Sequence, residues 1–243
     1  KRTDRVRISD GGDLTITLEA RQRLEVMQGR QQTGDAWREE QRERAAAEKA
    51  AREKAFRDEM HARADAQLAR AREYDVPDDY FTVIEAEDYT DRGVGWVRRG
   101  RNLMGEHGDA IILLKNTGNW AEFQVSVAQA GWYQIVFKYC GGPEERHHQL
   151  LIDGSVPHER FADIDWPPTR GLSSRSDTWE LYRIHWPKVD RPVLVFLDKG
   201  EHTLRLQHTS GENFIGLDYM VIARPELEVT RDLVEQPGDA DDD

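Results

Sequence analysis

Residues 117–139 read Thr-Gly-Asn-Trp-Ala-Glu-Phe-Gln-Val-Ser-Val-Ala-Gln-Ala-Gly-Trp-Tyr-Gln-Ile-Val-Phe-Lys-Tyr. Thr117-Gly118-Asn119 is a turn signal, and after it Ala121, Phe123, Val125 and Val127 alternate with polar residues. Gly131 interrupts the run and a second, more apolar stretch follows from Trp132. Two period-2 stretches on either side of a short break are the pattern of antiparallel strands with a buried face. The pattern extends both ways, giving candidate strands at 81–87, 110–114, 120–127, 132–139, 148–153, 179–186, 193–198, 202–208 and 216–222. Gly141-Gly142-Pro143, Asp153-Gly154, Lys199-Gly200 and Ser210-Gly211 supply further turns. Many short strands without intervening helices predict a mainly β fold, an antiparallel jelly-roll β-sandwich, over 79–223.

Outward from the sandwich the composition changes. Residues 1–34 carry Val6 and Ile8, then Leu14, Ile16 and Leu18, in alternation around Gly11-Gly12, the reading of a short β-hairpin that needs something to pack on. From Asp35, a suitable N-cap, no Gly or Pro occurs until Pro77, and Ala, Glu, Arg and Lys dominate. Pairs such as Glu40/Arg44 and Glu59/Arg63 lie at i,i+4 in the favourable order. This predicts a long helical arm over 35–78, its helix at 35–74, roughly 58 Å at 1.5 Å per residue. Phe56, Met60, Ala64 and Leu68 form only a thin apolar stripe, without sustained heptads. The helix therefore either rests on its own sandwich or, with residues 1–34, docks on a protein partner. Residues 224–243 end in Pro237-Gly238 and an acidic run, and read as a flexible tail.

The formal net charge is −12, which disfavours nucleic acid as a partner because a phosphate backbone would be repelled. Cys140 is the single cysteine, so there is no internal disulfide and no cysteine pair for zinc. The longest apolar run, Ala110 to Leu114, is too short to span a bilayer, and no secretory signal is visible. The chain opens on Lys1 rather than Met, as expected of a processed or trimmed chain with room for an export signal or anchor ahead of it.

The segment 82–223 resembles carbohydrate-binding modules of families 6 and 35. The resemblance rests on Ile84-Glu85-Ala86-Glu87-Asp88-Tyr89, Thr117-Gly118-Asn119-Trp120-Ala121-Glu122-Phe123, Ala130-Gly131-Trp132-Tyr133, Leu151-Ile152-Asp153-Gly154, Lys199-Gly200-Glu201-His202-Thr203-Leu204-Arg205-Leu206 and Leu217-Asp218-Tyr219, in the family's order. It implies a non-catalytic, glycan-binding module acting outside the cytoplasm, periplasmic or secreted, with any membrane association through a partner or a segment ahead of Lys1. It also implies a structural calcium ion held by Glu85, Glu87 and Asp218, oxygen ligands suited to that cation. The alternative for these acids is exposure to solvent or pairing with arginine.

The resemblance further implies sugar stacking on aromatic rings at one end of the sandwich. Trp179 stands at one family ring position, Leu114 replaces the other ring, and Gly216 stands where a hydrogen-bonding Asn is usual. Asn213, three residues earlier, is the substitute donor, and Trp96 or Trp166 the substitute ring. For each Trp the competing reading is packing within the fold.

No catalytic motif is present: there is no GxSxG, HExxH or Walker A pattern, and Gly93 to Gly100 is no dinucleotide fingerprint. Adjacent His147 and His148 point to opposite faces of a strand, and Cys140 ends an apolar strand as a buried thiol. Two functions follow: glycan binding, which targets or anchors a partner at a polysaccharide or cell surface, or a structural assembly subunit that reuses the sandwich as a docking body.

Overall fold

A computed structural model describes residues 3–7, 13–93, 97–100, 110–113, 117–144, 146–171, 179–211 and 215–235. The chain divides into two compact units, Lys1–Phe56 and Arg57–Asp243. In the first, β1 (Thr3–Arg7) and β2 (Asp13–Thr17) pair antiparallel, with Val6 opposite Leu14. Helix α1 then runs over Leu18–Ala71. Its start is 17 residues earlier than the sequence reading at Asp35. Gly29 and Gly34 lie inside it, each a cost of about 1 kcal/mol that neighbouring Leu, Arg, Gln and Glu residues offset.

The second unit is the β-sandwich. Its strands are β3 (Phe81–Glu85), β4 (Asp91–Arg92), β5 (Val97–Gly100), β6 (Ala110–Leu113), β7 (Trp120–Val127), β8 (Gly131–Cys140), β9 (Arg146–Ile152), β10 (Ile164–Asp165), β11 (Glu180–Arg183), β12 (Val195–Leu197), β13 (Gly200–Gly211) and β14 (Ile215–Ala223). Short helices α2 (Glu159–Ala162) and α3 (Arg231–Val234) complete it. One antiparallel sheet has the order β4-β7-β13-β9-β10. In the other, β8 and β14 are central neighbours: β11 and β12 share the far edge of β8, β3 and β6 share the far edge of β14, and β5 follows β6. Asp153-Gly154 closes a two-residue hairpin with both residues at positive φ, where glycine costs nothing and Asp is tolerated.

The opening stretch explains the packing. Ala121, Phe123, Val125 and Val127 of β7 are buried while their alternates are not. With Leu150, Ile152, Leu204 and Leu206 they meet Tyr133, Ile135, Phe137, Tyr139, Leu217, Met220 and Ile222 of the other sheet in one core. Met60 and Ala64 of α1 belong to this core. Gln67 fixes them there, donating to Leu194 O (3.3 Å) and accepting from Leu194 N (3.0 Å), as a strand neighbour would.

Strands β8 and β14 are buried on both faces because residues 224–235 cover the outer one. Leu227, Val229 and Val234 pack on Val136, Tyr219, Val221 and Ala223. Gln134 Nε2 donates to Arg224 O (2.9 Å) and Leu227 O (2.7 Å). The expectation of a flexible tail from 224 is thus corrected for 224–235, and 236–243 lie outside the described residues.

Candidate functional site

The bulge between Leu217 and Tyr219 turns Asp218 to the outer side of β14. There Lys138 Nζ lies 2.8 Å from Asp218 and 2.6 Å from Glu235, and Tyr219 OH donates to Glu235 at 3.0 Å. Burial, and then Glu235, push the Tyr219 phenol up, so it stays a donor. Lys138 and Asp218 are fully buried, where an unpaired charge is costly, so each neutralises the other. The acid assigned to calcium by resemblance therefore faces an ammonium. Glu85 and Glu87 each keep one carboxylate oxygen out of solvent, at the end of β3 and in the turn after it. Among the described residues no three His, Cys, Asp or Glu side chains are placed to hold a metal ion.

The aromatic residues singled out for sugar stacking are placed differently from a platform. Trp179 is 3% exposed, enclosed with Ala110 and Cys140, and a Cβ at Gly216 would lie only 3.0 Å from its ring. Trp166 is 2% exposed and sits between the sheets, edge-on to Phe137 at 5.1 Å. Both are packed inside the fold. Trp96, Asn213 and Leu114 lie outside the described residues. More accessible rings are at Trp132, Phe196 and Tyr74, but they meet at 62° and 57°, interlocking rather than offering one plane.

What the sheet does present is a groove of about 540 Å³ on its outer face. Gln134 and Val136 of β8 and Leu181, Tyr182 and Arg183 of β11 form its floor, with His185 just beyond, and Pro225 to Val229 form its wall. Arg183 is held by Asp190 at 2.9 Å, which keeps the Asp190 carboxyl below the usual range. Burial, and then Arg183, push His185 down, so its ring is neutral at neutral pH; Nδ1 lies out of solvent 3.3 Å from Asp190, which leaves Nε2 for a ligand. The Tyr182 ring turns away from the groove, toward Tyr139 and Trp166 on the core side of the sheet, so Leu181 and Arg183 are the side chains β11 gives to it. A mixed lining with one guanidinium, an imidazole and the Glu226 and Glu228 carboxylates suits a neutral, hydroxyl-rich ligand, while the Gln134 amide is spent on Arg224 O and Leu227 O. The volume lies within the usual range for small-molecule sites. The sequence reading missed this groove, because residues 225–229 join the sheet only through the fold.

No protein-family model matches the chain, and no curated protein does. Among solved structures, the sandwich is similar to a family 35 carbohydrate-binding module from Clostridium thermocellum at 16% identity and TM-score 0.47, covering 59% of this chain and 97% of that one. It is similar to a family 35 module from Cellvibrio japonicus at 16% identity and TM-score 0.45, covering 59% of this chain and 93% of that one. It is also similar to the C-terminal family 6 module of a marine laminarinase from Zobellia galactanivorans, at 18% identity and TM-score 0.45, covering 59% and 99%.

Proposed function

We propose that the chain is a non-catalytic glycan-binding module whose ligand lies in the groove between β8, β11 and residues 225–229. The observation that carries this is the groove itself: a concave site of about 540 Å³ with a mixed lining in which Leu181 and Leu227 stand among Arg183, His185 and Glu228. The six sequence motifs of the resemblance, which fall on strands and turns of the sandwich, support it. Targeting of a partner to a polysaccharide or cell surface, and action outside the cytoplasm, belong to this proposal. Among the described residues no helix is long and apolar enough to cross a membrane.

The test is retention of the full chain on a panel of plant, algal and bacterial polysaccharides, with Arg183→Ala alongside. A single-site ligand of this kind binds weakly, around millimolar, near −4 kcal/mol. Losing a hydrogen bond from a charged donor costs about 1.5–3 kcal/mol, enough to take Arg183→Ala below detection while it stays folded. Failure to retain any glycan would overturn the proposal, and full retention by Arg183→Ala would move the site elsewhere.

A second reading, an assembly subunit, draws on one observation. Leu24, Val26, Met27 and Trp37 of α1 are large apolar side chains left exposed, Trp37 at 61%. A pull-down of the native protein that returns a defined multi-subunit complex, lost when these four residues become Gln, would favour it.

A further inference from the structure

The end of the sandwich where β9 begins buries a cation that, among the described residues, has one carbonyl as its hydrogen-bond acceptor. The inward positions of β9 are Arg146, His148, Leu150 and Ile152, and His208 of β13 lies directly opposite His148. Arg146, His148 and His208 all have zero exposure. Arg146 makes one hydrogen bond, from Nη2 to Pro167 O at 3.3 Å, and its Nε and Nη1 have no partner. It forms no ion pair with a described carboxylate. Gly141 roofs the guanidinium so closely that a Cβ there would stand 2.6 Å from Cζ.

The imidazoles repeat the pattern. Trp166 Nε1 donates to His148 Nδ1 at 3.0 Å, so the ring proton of neutral His148 is on Nε2. That N–H is buried without an acceptor, as are both nitrogens of His208, whose ring centroid is 5.0 Å from that of His148. Burial, then His208 and Arg146, hold His148 neutral. The place thus collects hydrogen-bond donors and one full positive charge. A cation is disfavoured there: Arg146 repels it, the Nδ1 lone pair of His148 is taken by Trp166, and Nε2 carries a proton.

We propose that Arg146, His148 and His208 bind a small inorganic anion, a halide or oxyanion, inside the sandwich as a structural ligand. A buried charge without a partner is strongly unfavourable, and a buried donor without an acceptor carries its full desolvation cost. One anion accepts from all three side chains and neutralises the guanidinium. It is bound by the folded chain and not by the unfolded one, so it stabilises by mass action.

The experiment melts the full chain at constant ionic strength, replacing sodium gluconate stepwise by chloride, phosphate or sulfate. A hundredfold excess over Kd raises the folding equilibrium constant about a hundredfold, so the midpoint climbs with the logarithm of anion concentration. That dependence, saturable and starting at low concentration, separates site binding from general salt effects. Broadening of the chloride NMR line by the protein is the direct readout. Arg146→Met removes the charge and keeps the volume, so it melts no lower than the parent in gluconate and loses the anion response. Should that variant not fold, His208→Leu, which keeps the guanidinium, must weaken the response. A parent midpoint equal in all four salts, with an unbroadened chloride line, overturns the proposal and leaves water as the partner. An anion response retained in full by Arg146→Met or His208→Leu overturns it as well.

Discussion

Trp179→Ala separates a packed ring from a binding platform. The side chain is 3% exposed, against Cys140 and Gly216. A Trp buries roughly 150–250 Å², which at about 25 cal/mol per Å² is about 4–6 kcal/mol of transfer free energy. Measured Trp→Ala losses in cores run about 3–5 kcal/mol. The Arg231 guanidinium donates to the backbone carbonyl of Trp179, a bond the truncation leaves in place, so the lower part of that range is expected. In a unit of this size each kcal/mol lowers the midpoint by roughly 2–4 °C, giving a fall of roughly 6–15 °C. Far-UV circular dichroism of thermal and urea unfolding reads this without depending on Trp fluorescence. A variant that melts within about 2 °C of the parent would refute the packing argument, and one that also loses glycan retention would restore the ring as a platform.

Lys138→Met leaves Asp218 and Glu235 facing each other in a buried site and should cost about 3–5 kcal/mol in urea unfolding. Changing Asp218→Asn and Glu235→Gln with it should recover most of the loss. With Lys138 turned to Asp218, thermal scans in EDTA and in excess calcium should give the same midpoint, and a rise with calcium would show that Glu85, Glu87 and Asp218 gather around the ion after all. A chain beginning at residue 57 should keep the sandwich intact, whereas one beginning at residue 76 loses Met60, Ala64 and Gln67 and should be less stable by about 2–5 kcal/mol, read by urea unfolding. Burial opposes protonation of His202, but Asp198 O at 2.8 Å and Asp153 at 2.7 Å outweigh it and raise its pKa. That stabilisation is complete below about pH 6.5 and is lost as pH rises through the raised folded value. The stability gap between the parent and His202→Gln should therefore narrow with rising pH, and a gap constant with pH would contradict it.

The sandwich was legible where one face is wet. In β7 and β13 polar and apolar residues alternate, so the strands and their inward faces follow from period alone. In β14 both faces are apolar, which marks a central strand but does not say what covers the outer side. The cover, Leu227, Val229 and Val234, is three apolar residues in a polar segment, too few for any periodic signal. The start of α1 at Leu18 lies ahead of the Gly- and Pro-free stretch from Asp35; Gly29 and Gly34 stand inside the helix, which tolerates them at modest cost. The site was least legible. A tryptophan in a loop looks the same whether it folds inward or outward, so Trp166 and Trp179 were candidates by type and are packed by tertiary context. Arg146 and His148 sit in phase with Leu150 and Ile152, a signal present in the sequence. It was overlooked because polar residues in alternation are assumed to face water.

The most direct test of glycan binding is a chemical-shift titration of the isotope-labelled full chain with any polysaccharide fragment it retains. The account predicts saturable shifts concentrated at Gln134, Arg183, His185 and Leu227 around the groove, with the Trp166 and Trp179 indole signals little changed. Shifts centred on those indoles and absent from the groove, or no shifts with any glycan up to several millimolar, would contradict it.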